Sequence, residues 1–176
     1  MMLKIHFRKI ANADGPLHFH ETLDVSEFVK GRKDIVAVAP LSVDLNALPA
    51  DTDQVNVVGK LTGSADMLCS RCLTEVKTKL DIPFAETYQW LKQPAPSEED
   101  EDEDIIYIED ETVELTPFVE EHFVLHLPDS VLCKADCLGL CHTCGQNLNE
   151  GTCSCDNTVI DPRFAALKGL FTKQDD

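Results

Sequence analysis

Apolar and polar side chains alternate along much of the first half of the chain, a pattern that predicts β-strands with one buried face. Two such runs are residues 55–65 and 76–84, and a Cys-x-x-Cys motif lies between them. We therefore predict a long β-hairpin with this motif at its tip. Because antiparallel strands with one apolar face bury that face together, the hairpin should belong to a twisted sheet that curls over its own core.

Other segments predict further strands and one helical turn. The helical turn is expected in residues 24–31. Pro40 lies inside an alternating run, and because it has no backbone N–H it implies an edge position, a bulge or a break into two strands. Further alternating runs are residues 3–7, 17–20 and 35–45, and the apolar residues 105–108 predict one more strand.

A helical pattern spans residues 117–127 and is preceded by Thr116. Threonine is a good N-cap and proline suits the first helical position, so we expect Thr116 to cap this helix and Pro117 to begin it. His122 and His126 have the i, i+4 spacing of some metal ligands. They lack the carboxylate of a zincin motif, and we interpret them as helix-surface residues.

These patterns predict an α+β fold that is mainly antiparallel β, with a curled or barrel-like sheet, one or two packing helices and a Cys-rich, zinc-binding C-terminal segment. Residues 1–128 should form the β-rich domain, which includes an acidic linker at 93–104. Residues 129–176 should form the Cys-rich segment, which ends in a capped helix at 162–171.

The formal net charge of −17 is concentrated in one part of the chain. Residues 93–133 hold fourteen acidic and no basic side chains, whereas the rest of the chain is nearly balanced. Seven consecutive carboxylates repel one another, so they form either a solvated loop or a docking segment for a basic partner. The seven are Glu98, Glu99, Asp100, Glu101, Asp102, Glu103 and Asp104.

The expected compartment decides how the eight cysteines are interpreted. The chain has no run of about 18 apolar residues, and its first residues lack the apolar core of a secretory signal. We therefore expect a cytoplasmic protein, and cytosolic thiols stay reduced. Eight cysteines then point to metal, and less to redox chemistry or to inert buried thiols.

The cysteines fall into four close pairs, and structural zinc sites often take their four ligands as two such pairs. Eight thiolates fill two tetrahedral sites and leave no position for a substrate water, so we predict two structural Zn²⁺ ions. A redox role would need a Cys-x-x-Cys that opens a helix, and the first pair lies between strands instead. The pairs are Cys69 with Cys72, Cys133 with Cys137, Cys141 with Cys144, and Cys153 with Cys155.

The sequence leaves open how these pairs are grouped. The preferred grouping joins the pairs at 141–144 and 153–155 in one site, and the pairs at 69–72 and 133–137 in the other. The alternative draws one site wholly from the six C-terminal cysteines and leaves the first pair partly free. No nucleophile elbow, zincin motif, P-loop or dinucleotide-binding motif is present, so we expect the protein not to be an enzyme.

Three stretches together resemble a known family: "CSRCL" at 69–73, "LCKADCLGLCHTCGQNLNEGTCSC" at 132–155 and "DPRFAALKGL" at 161–170. They are similar to the YceD family, bacterial and plastid proteins tied to the accumulation of 23S ribosomal RNA. The resemblance implies a non-enzymatic role in the synthesis, processing or stability of that RNA. It also implies that the shared function lies near Cys69 and Cys72, because some members lack the C-terminal cysteines.

A candidate RNA contact follows from the alternation of the hairpin. If its apolar residues face inward, Lys60, Lys77 and Lys79 face outward, and Arg71 lies at the tip. Such cations could contact phosphates, or they could form an ordinary solvated face. The expected partner is therefore 23S rRNA precursor or a large-subunit assembly protein. Two alternatives remain: the acidic run holds a basic ribosomal protein, or the Cys-x-x-Cys motif serves a thiol oxidoreductase.

Overall fold

The computed structural model describes residues 3–13, 15–51, 53–91 and 105–156. The predicted acidic linker at 93–104 and the predicted helix at 162–171 lie outside these residues.

The predicted long hairpin is confirmed. Strands β5 (Gln54–Leu68) and β6 (Glu75–Trp90) pair antiparallel from Gln54 opposite Gln89 to Leu68 opposite Glu75. At about 3.3 Å per residue, fifteen residues extend roughly 50 Å. The hairpin is therefore the longest structural unit of the protein, and its two ends lie far apart.

Strands β3 (Ile35–Val38) and β4 (Leu41–Pro49) both pair antiparallel with β5, one after the other along the same edge. They are separated at Pro40, so the predicted break into two strands is confirmed. Strand β2 (Leu17–Leu23) continues the sheet beyond β4.

Strand β7 (Ile105–Ile108) extends the sheet beyond β6 and is parallel to it. The resulting order is β2-β4-β5-β6-β7, with β3 beside β5. No described strand joins β2 to β7, so the sheet is open and the barrel-like form anticipated from the sequence does not occur.

A second, two-stranded sheet consists of β1 (Lys4–His6) and β8 (Thr112–Glu114). The predicted strand at 3–7 stops one residue early, because Phe7 begins helix α1 (Phe7–Ala11). Neither α1 nor β8 was predicted, since elements of five and three residues are too short to show a period. The helical turn expected in residues 24–31 is a 3-10 helix, Ser26–Val29.

Helix α2 spans Thr116–His126, close to its predicted range, but its expected cap is wrong. The N-cap is Leu115, and the N–H of Val119 donates to the carbonyl of Leu115 over 3.0 Å. Thr116 thus lies inside the first turn. Leu115 is fully buried in the core and anchors the helix start by packing in place of a side-chain cap.

Helix α2 packs on the inner face of β6. Phe118 meets Tyr88 edge to face, with ring centroids 5.2 Å apart. His122 was expected on the helix surface, but it is half-buried: its ring packs on Phe84, and its Nε2 lies 2.6 Å from a carboxylate oxygen of Glu86. These contacts close the core between the sheet and the helix.

The fold is therefore a mostly antiparallel, strand-rich sheet with two packing α-helices and a Cys-rich C-terminal segment. The core contains apolar side chains from both sheets and both helices. None of the helices within the described ranges has the length and hydropathy that crossing a membrane requires.

The tight approach of β4 to β5 generates a stability prediction. A Cβ atom on Gly59 would lie 2.0 Å from the carbonyl oxygen of Asp44 and 2.9 Å from the Cα of Leu45. Because both neighbours are backbone atoms, the strands must separate to admit Gly59→Ala. We expect this substitution to lower the free energy of unfolding by about 3 kcal/mol, measured by urea denaturation.

The matched control is Gly63→Ala on the same strand. Its added Cβ would meet first the end of the Leu41 side chain, at 2.9 Å, which can rotate away. We expect this variant to remain within about 1 kcal/mol of wild type. Equal destabilisation by the two substitutions would contradict the close approach at Gly59.

Two candidate metal centres and a basic sheet face

The hairpin tip folds as a tight turn between two cysteines. The N–H of Leu73 donates to the carbonyl of Cys69 over 2.9 Å, and Leu73 adopts the left-handed conformation with φ 59°. A non-glycine residue in this conformation costs about 1–2 kcal/mol. The turn brings Cys69 and Cys72, both buried, to one side of the tip.

The second Cys-x-x-Cys turn repeats this geometry. The N–H of Gly145 donates to the carbonyl of Cys141 over 2.8 Å, and Gly145 has φ 75°. Glycine adopts this conformation without steric cost, which is the physical basis of the Cys-Gly signal in the sequence. Leu73 occupies the corresponding position in the first turn, so the same backbone is reached there with strain.

The eight thiol groups gather into two clusters of four, and within each cluster the sulfur atoms all lie within 4.8 Å of one another. Centre 1 consists of Cys69, Cys72, Cys133 and Cys137, and centre 2 of Cys141, Cys144, Cys153 and Cys155. This is the preferred one of the two groupings that the sequence left open.

Centre 1 joins two segments that are far apart in sequence. The N–H of Ser70 donates to the carbonyl of Val131 over 2.9 Å, which aligns the segment before Cys133 beside the hairpin tip. A guanidinium N–H of Arg71 donates to the carbonyl of Cys137 over 2.8 Å. In return, the carbonyl of Arg71 accepts the N–H of Leu140 over 3.0 Å.

Arg71 is therefore engaged with the C-terminal segment on both its side chain and its backbone. Gly139 faces it with φ 77°, and a Cβ at Gly139 would lie 3.2 Å from the Arg71 carbonyl oxygen. The sequence hypothesis assigned Arg71 to phosphate contact, and reading the sequence alone missed this pairing with Cys137. The side chain is nevertheless exposed, and a planar guanidinium has five donors.

The sulfur distances fit a tetrahedral metal and do not fit disulfides. The sulfurs of Cys72 and Cys133 are 3.5 Å apart, and those of Cys69 and Cys137 are 3.8 Å apart. Four sulfurs placed about 2.3 Å from a central Zn²⁺ lie about 3.8 Å from one another, whereas a disulfide requires about 2.05 Å. Each centre therefore has the donor set of a closed structural site.

The thiols of each centre are electrostatically prepared for a cation. Burial opposes ionisation of Cys69, but backbone N–H groups that include those of Arg71 and Cys133 donate to its sulfur and lower its pKa to about 6. The hydrogen bond with Cys72 raises the pKa of Cys133 to about 12. A cation bound at this centre would displace the protons of its thiols.

Centre 2 has the same division of roles. Backbone N–H groups of Cys144 and Thr143 lower the pKa of Cys141 to about 6, whereas the hydrogen bond with Cys144 raises that of Cys155 to about 12. Its four ligands come from fifteen consecutive residues, so it closes a single local loop.

The predicted basic residues lie on the outer face of the sheet, opposite to α2. Lys77 pairs with Asp66 and Lys79 with Ser64 in the hairpin register, and Lys60 lies opposite Asp44 of β4. All three lysines are exposed. Among the described residues none of them makes an ion pair within 4.0 Å, so their charges face solvent.

Two histidines on β2 extend this face and were not singled out from the sequence. His18 Nδ1 lies 2.9 Å from the side-chain oxygen of Asn46, and His20 Nδ1 lies 2.6 Å from a carboxylate oxygen of Asp44. This contact holds the pKa of Asp44 below its ordinary value. The alternation of "LHFH" at 17–20 was the available signal, since it places both rings on one face. The seven carboxylates of Glu98–Asp104 lie outside the described residues.

Comparison with known proteins agrees with the motif resemblance. The model of a family described as large ribosomal RNA subunit accumulation protein YceD matches residues 57–171. The chain is 29% identical over 159 residues to the uncharacterized protein YlbN of Bacillus subtilis (strain 168), which covers 90% of this chain and 89% of that protein.

Mycobacterial proteins are similar over a shorter range. The chain is 29% identical over 138 residues to the uncharacterized protein Rv2926c of Mycobacterium tuberculosis (strain H37Rv), which covers 78% of this chain. The aligned region spans 65% of that protein, so the chain matches about two thirds of its length. No solved structure matches the chain.

The small core of the C-terminal segment generates a prediction about metal removal. Among residues 132–156 the only buried side chains are Cys137 and Cys141, whereas the sheet has a large apolar core of its own. Structural zinc contributes roughly 10–16 kcal/mol of apparent binding free energy in small peptides. We expect a chelator to abolish amide protection against hydrogen exchange in 133–155 and to leave β5 and β6 protected.

The control is the same chelator saturated with zinc beforehand, which should change nothing. Adding zinc back should restore protection of 133–155. Unchanged protection after complete metal removal would mean that packing and hydrogen bonds alone hold this segment.

Proposed function

The chain belongs to the YceD family of large ribosomal RNA subunit accumulation proteins, and from this premise we propose that it is a non-enzymatic ribosome biogenesis factor. Its role is to support the synthesis, processing or stability of 23S rRNA. The family match over residues 57–171 carries this proposal, because the matched range includes most of the β5–β6 hairpin and both cysteine centres.

We further propose that both centres hold Zn²⁺ as structural ions. Four thiolates complete a tetrahedral site, so no coordination position remains for a reacting water. The ion at centre 1 would join the hairpin tip to the C-terminal segment, and the ion at centre 2 would close the loop from Cys141 to Cys155. The convergence of four sulfur atoms within 4.8 Å at each centre supports cation binding.

The outer sheet face is the proposed contact for 23S rRNA precursor. Lys60, Lys77 and Lys79 are exposed and make no ion pair among the described residues, so they are available for phosphate oxygens. Arg71 lies at the tip of the same hairpin, and its planar guanidinium can bind a phosphate while one N–H remains on Cys137. Phosphate contacts of this kind fix affinity and depend strongly on salt.

Two alternative functions can be distinguished from this proposal by experiment. The absence of basic residues in 93–133 favours a factor that holds a basic ribosomal protein or assembly enzyme. A thiol oxidoreductase would use Cys69 and Cys72, but both belong to centre 1 and neither opens a helix. A cytoplasmic location is part of the proposal, since reduced thiols and ribosome assembly both require it.

Charge reversal on the sheet face tests the RNA proposal. We expect Lys77→Glu with Lys79→Glu to weaken binding to 23S rRNA fragments and to reduce the salt dependence of log K by about two, one for each lost phosphate contact. Because Asp66 lies opposite Lys77, the neutral pair Lys77→Gln and Lys79→Gln should be measured alongside. It removes the same contacts without adding cross-strand repulsion.

The control is Lys4→Glu with Lys9→Glu, which reverses two exposed lysines on β1 and α1. It should leave RNA binding unchanged, and all variants should melt near wild type. In cells, the sheet-face variants should lower 23S rRNA accumulation. Normal accumulation with a folded double variant would reject the RNA-contact face. If neutralising Glu98–Asp104 instead abolished binding to basic ribosomal proteins, the acidic-segment alternative would replace it.

A further inference from the structure

One side chain in the loop of centre 2 contacts a thiol of centre 1. Asn149 lies between Cys144 and Cys153, two members of centre 2. Its side-chain N–H group donates to the sulfur of Cys137, a member of centre 1, over 3.3 Å. The two centres are therefore connected through a hydrogen bond to sulfur as well as through the chain between them.

The rest of the Asn149 amide is also engaged, which fixes its orientation. Its oxygen accepts the backbone N–H of Leu138 over 3.0 Å, and its nitrogen donates its second hydrogen to the side-chain oxygen of Asn147 over 2.9 Å. The amide thus uses both donors and its acceptor at once. Only a side chain with a donor and an acceptor on one rigid group can make this set of contacts.

The loop that carries Asn149 is held against the segment that carries Cys137. The N–H of Leu148 donates to the carbonyl of Gly139 over 2.9 Å, and Leu140 forms a bridge with Asn147. The N–H of Cys141 donates to the carbonyl of Gln146 over 2.8 Å. Each of these bonds has at least one partner in residues 141–155, the loop that centre 2 closes. The position of Asn149 therefore depends on that closure.

We propose that Asn149 couples the two metal centres, so that metal at either centre raises the affinity of the other. This inference rests on the proposed metal binding. Metal at centre 2 closes the loop, and the closed loop directs the N–H of Asn149 onto a ligand sulfur of centre 1. By linkage, metal at centre 1 fixes Cys137 and stabilises the same loop in return.

The charge of a filled centre explains why a donor is needed there. A divalent cation with four thiolates carries a net charge of −2, and an N–H donated to a sulfur disperses part of it. An aspartate at position 149 could still accept the N–H of Leu138, but it would add a negative charge beside the sulfur. The amide is thus a positioning and charge-stabilising group for centre 1 that is supplied by the loop of centre 2.

Zinc titration of two sets of three proteins measures the coupling, one set with Asn149 and one with Asn149→Ala. Cys153→Ser with Cys155→Ser leaves centre 1 alone, and Cys69→Ser with Cys72→Ser leaves centre 2 alone. Competition with a chelator of known affinity gives the stepwise zinc association constants. The product of the two wild-type constants, divided by the product of the two isolated-site constants, is the coupling factor. We expect about tenfold, the usual effect of a group that supports a metal ligand. The second set consists of Asn149→Ala alone and Asn149→Ala combined with each cysteine-pair change, and there the factor should fall to about one.

Two further variants separate coupling from a merely structural role. Gln146→Ala changes an exposed side chain in the same loop and should keep the full factor. Asn149→Asp keeps the acceptor for Leu138 and loses the donor to Cys137, so it should not restore coupling. Restoration by Asn149→Asp would mean that Asn149 acts only by holding the backbone of Leu138.

The possible outcomes distinguish a failure of the coupling from a failure of metal binding itself. No zinc bound by the wild-type protein would reject the proposed metal binding together with the coupling, and would leave the proposed rRNA role to its own test. Two bound zinc ions with a coupling factor near one, or a factor that survives Asn149→Ala, would reject the coupling alone. If disabling centre 2 abolishes zinc binding at centre 1, the coupling factor cannot be measured, and hydrogen exchange of the Leu138 amide replaces it. This amide bonds to the side chain of Asn149, so its exchange should accelerate both in the variant without centre 2 and in Asn149→Ala. Slow exchange in either variant would overturn the proposal.

Discussion

The junction between the hairpin tip and the C-terminal segment is the constraint on which the placement of both cysteine centres depends. Four thiols converge there, and the reciprocal bonds between Arg71, Cys137 and Leu140 surround them. Within residues 132–156 the only buried side chains are Cys137 and Cys141, so without this junction that stretch would have almost no buried side chains to hold it in place. The sheet can be stabilised by its own core, whereas the segment that contains centre 2 is held in place through centre 1.

This arrangement combines two kinds of stability in one chain. The sheet buries aromatic and branched side chains against α2, and its stability follows from apolar area. The cysteine segment depends on hydrogen bonds and on the convergence of thiol groups, and the proposed metal binding would add to its stability. The long hairpin connects the apolar sheet to the cysteine segment. One end of the hairpin lies in the apolar core, and the tip at the opposite end carries Cys69 and Cys72.

Much of the sheet and the pairing of neighbouring cysteines could be predicted from the sequence, because the patterns that indicate them are local. Alternation predicted β5, β6 and the break at Pro40, and the spacing of cysteines predicted the close pairs. Elements without a local signal were missed. Helix α1 and strand β8 are too short to show a period, and the cap expected at Thr116 was displaced by packing of Leu115 in the core.

The grouping of the cysteines could not be decided from the sequence, because it depends on which turn lies next to which in three dimensions. The same is true of the partners of Arg71 and Asn149, whose contacts span 66 and 12 residues of sequence. The left-handed conformation of Leu73 also had no signal. At position 145 the glycine itself indicates a left-handed turn residue. At position 73 the sequence gives no such indication, and the left-handed conformation is recognised only because Leu73 corresponds to Gly145 in the second turn.

The long sequence separation within centre 1 has a consequence for the newly made chain. Cys72 and Cys133 meet in the folded protein, yet 61 residues separate them. At a synthesis rate of about 5–20 residues per second, roughly 3–12 s pass between their incorporation. During that interval the hairpin can already form while the thiols at its tip have no partners from the second segment. Correct assembly of the tip thus requires that these two thiols stay reduced until the remainder of the centre has been made.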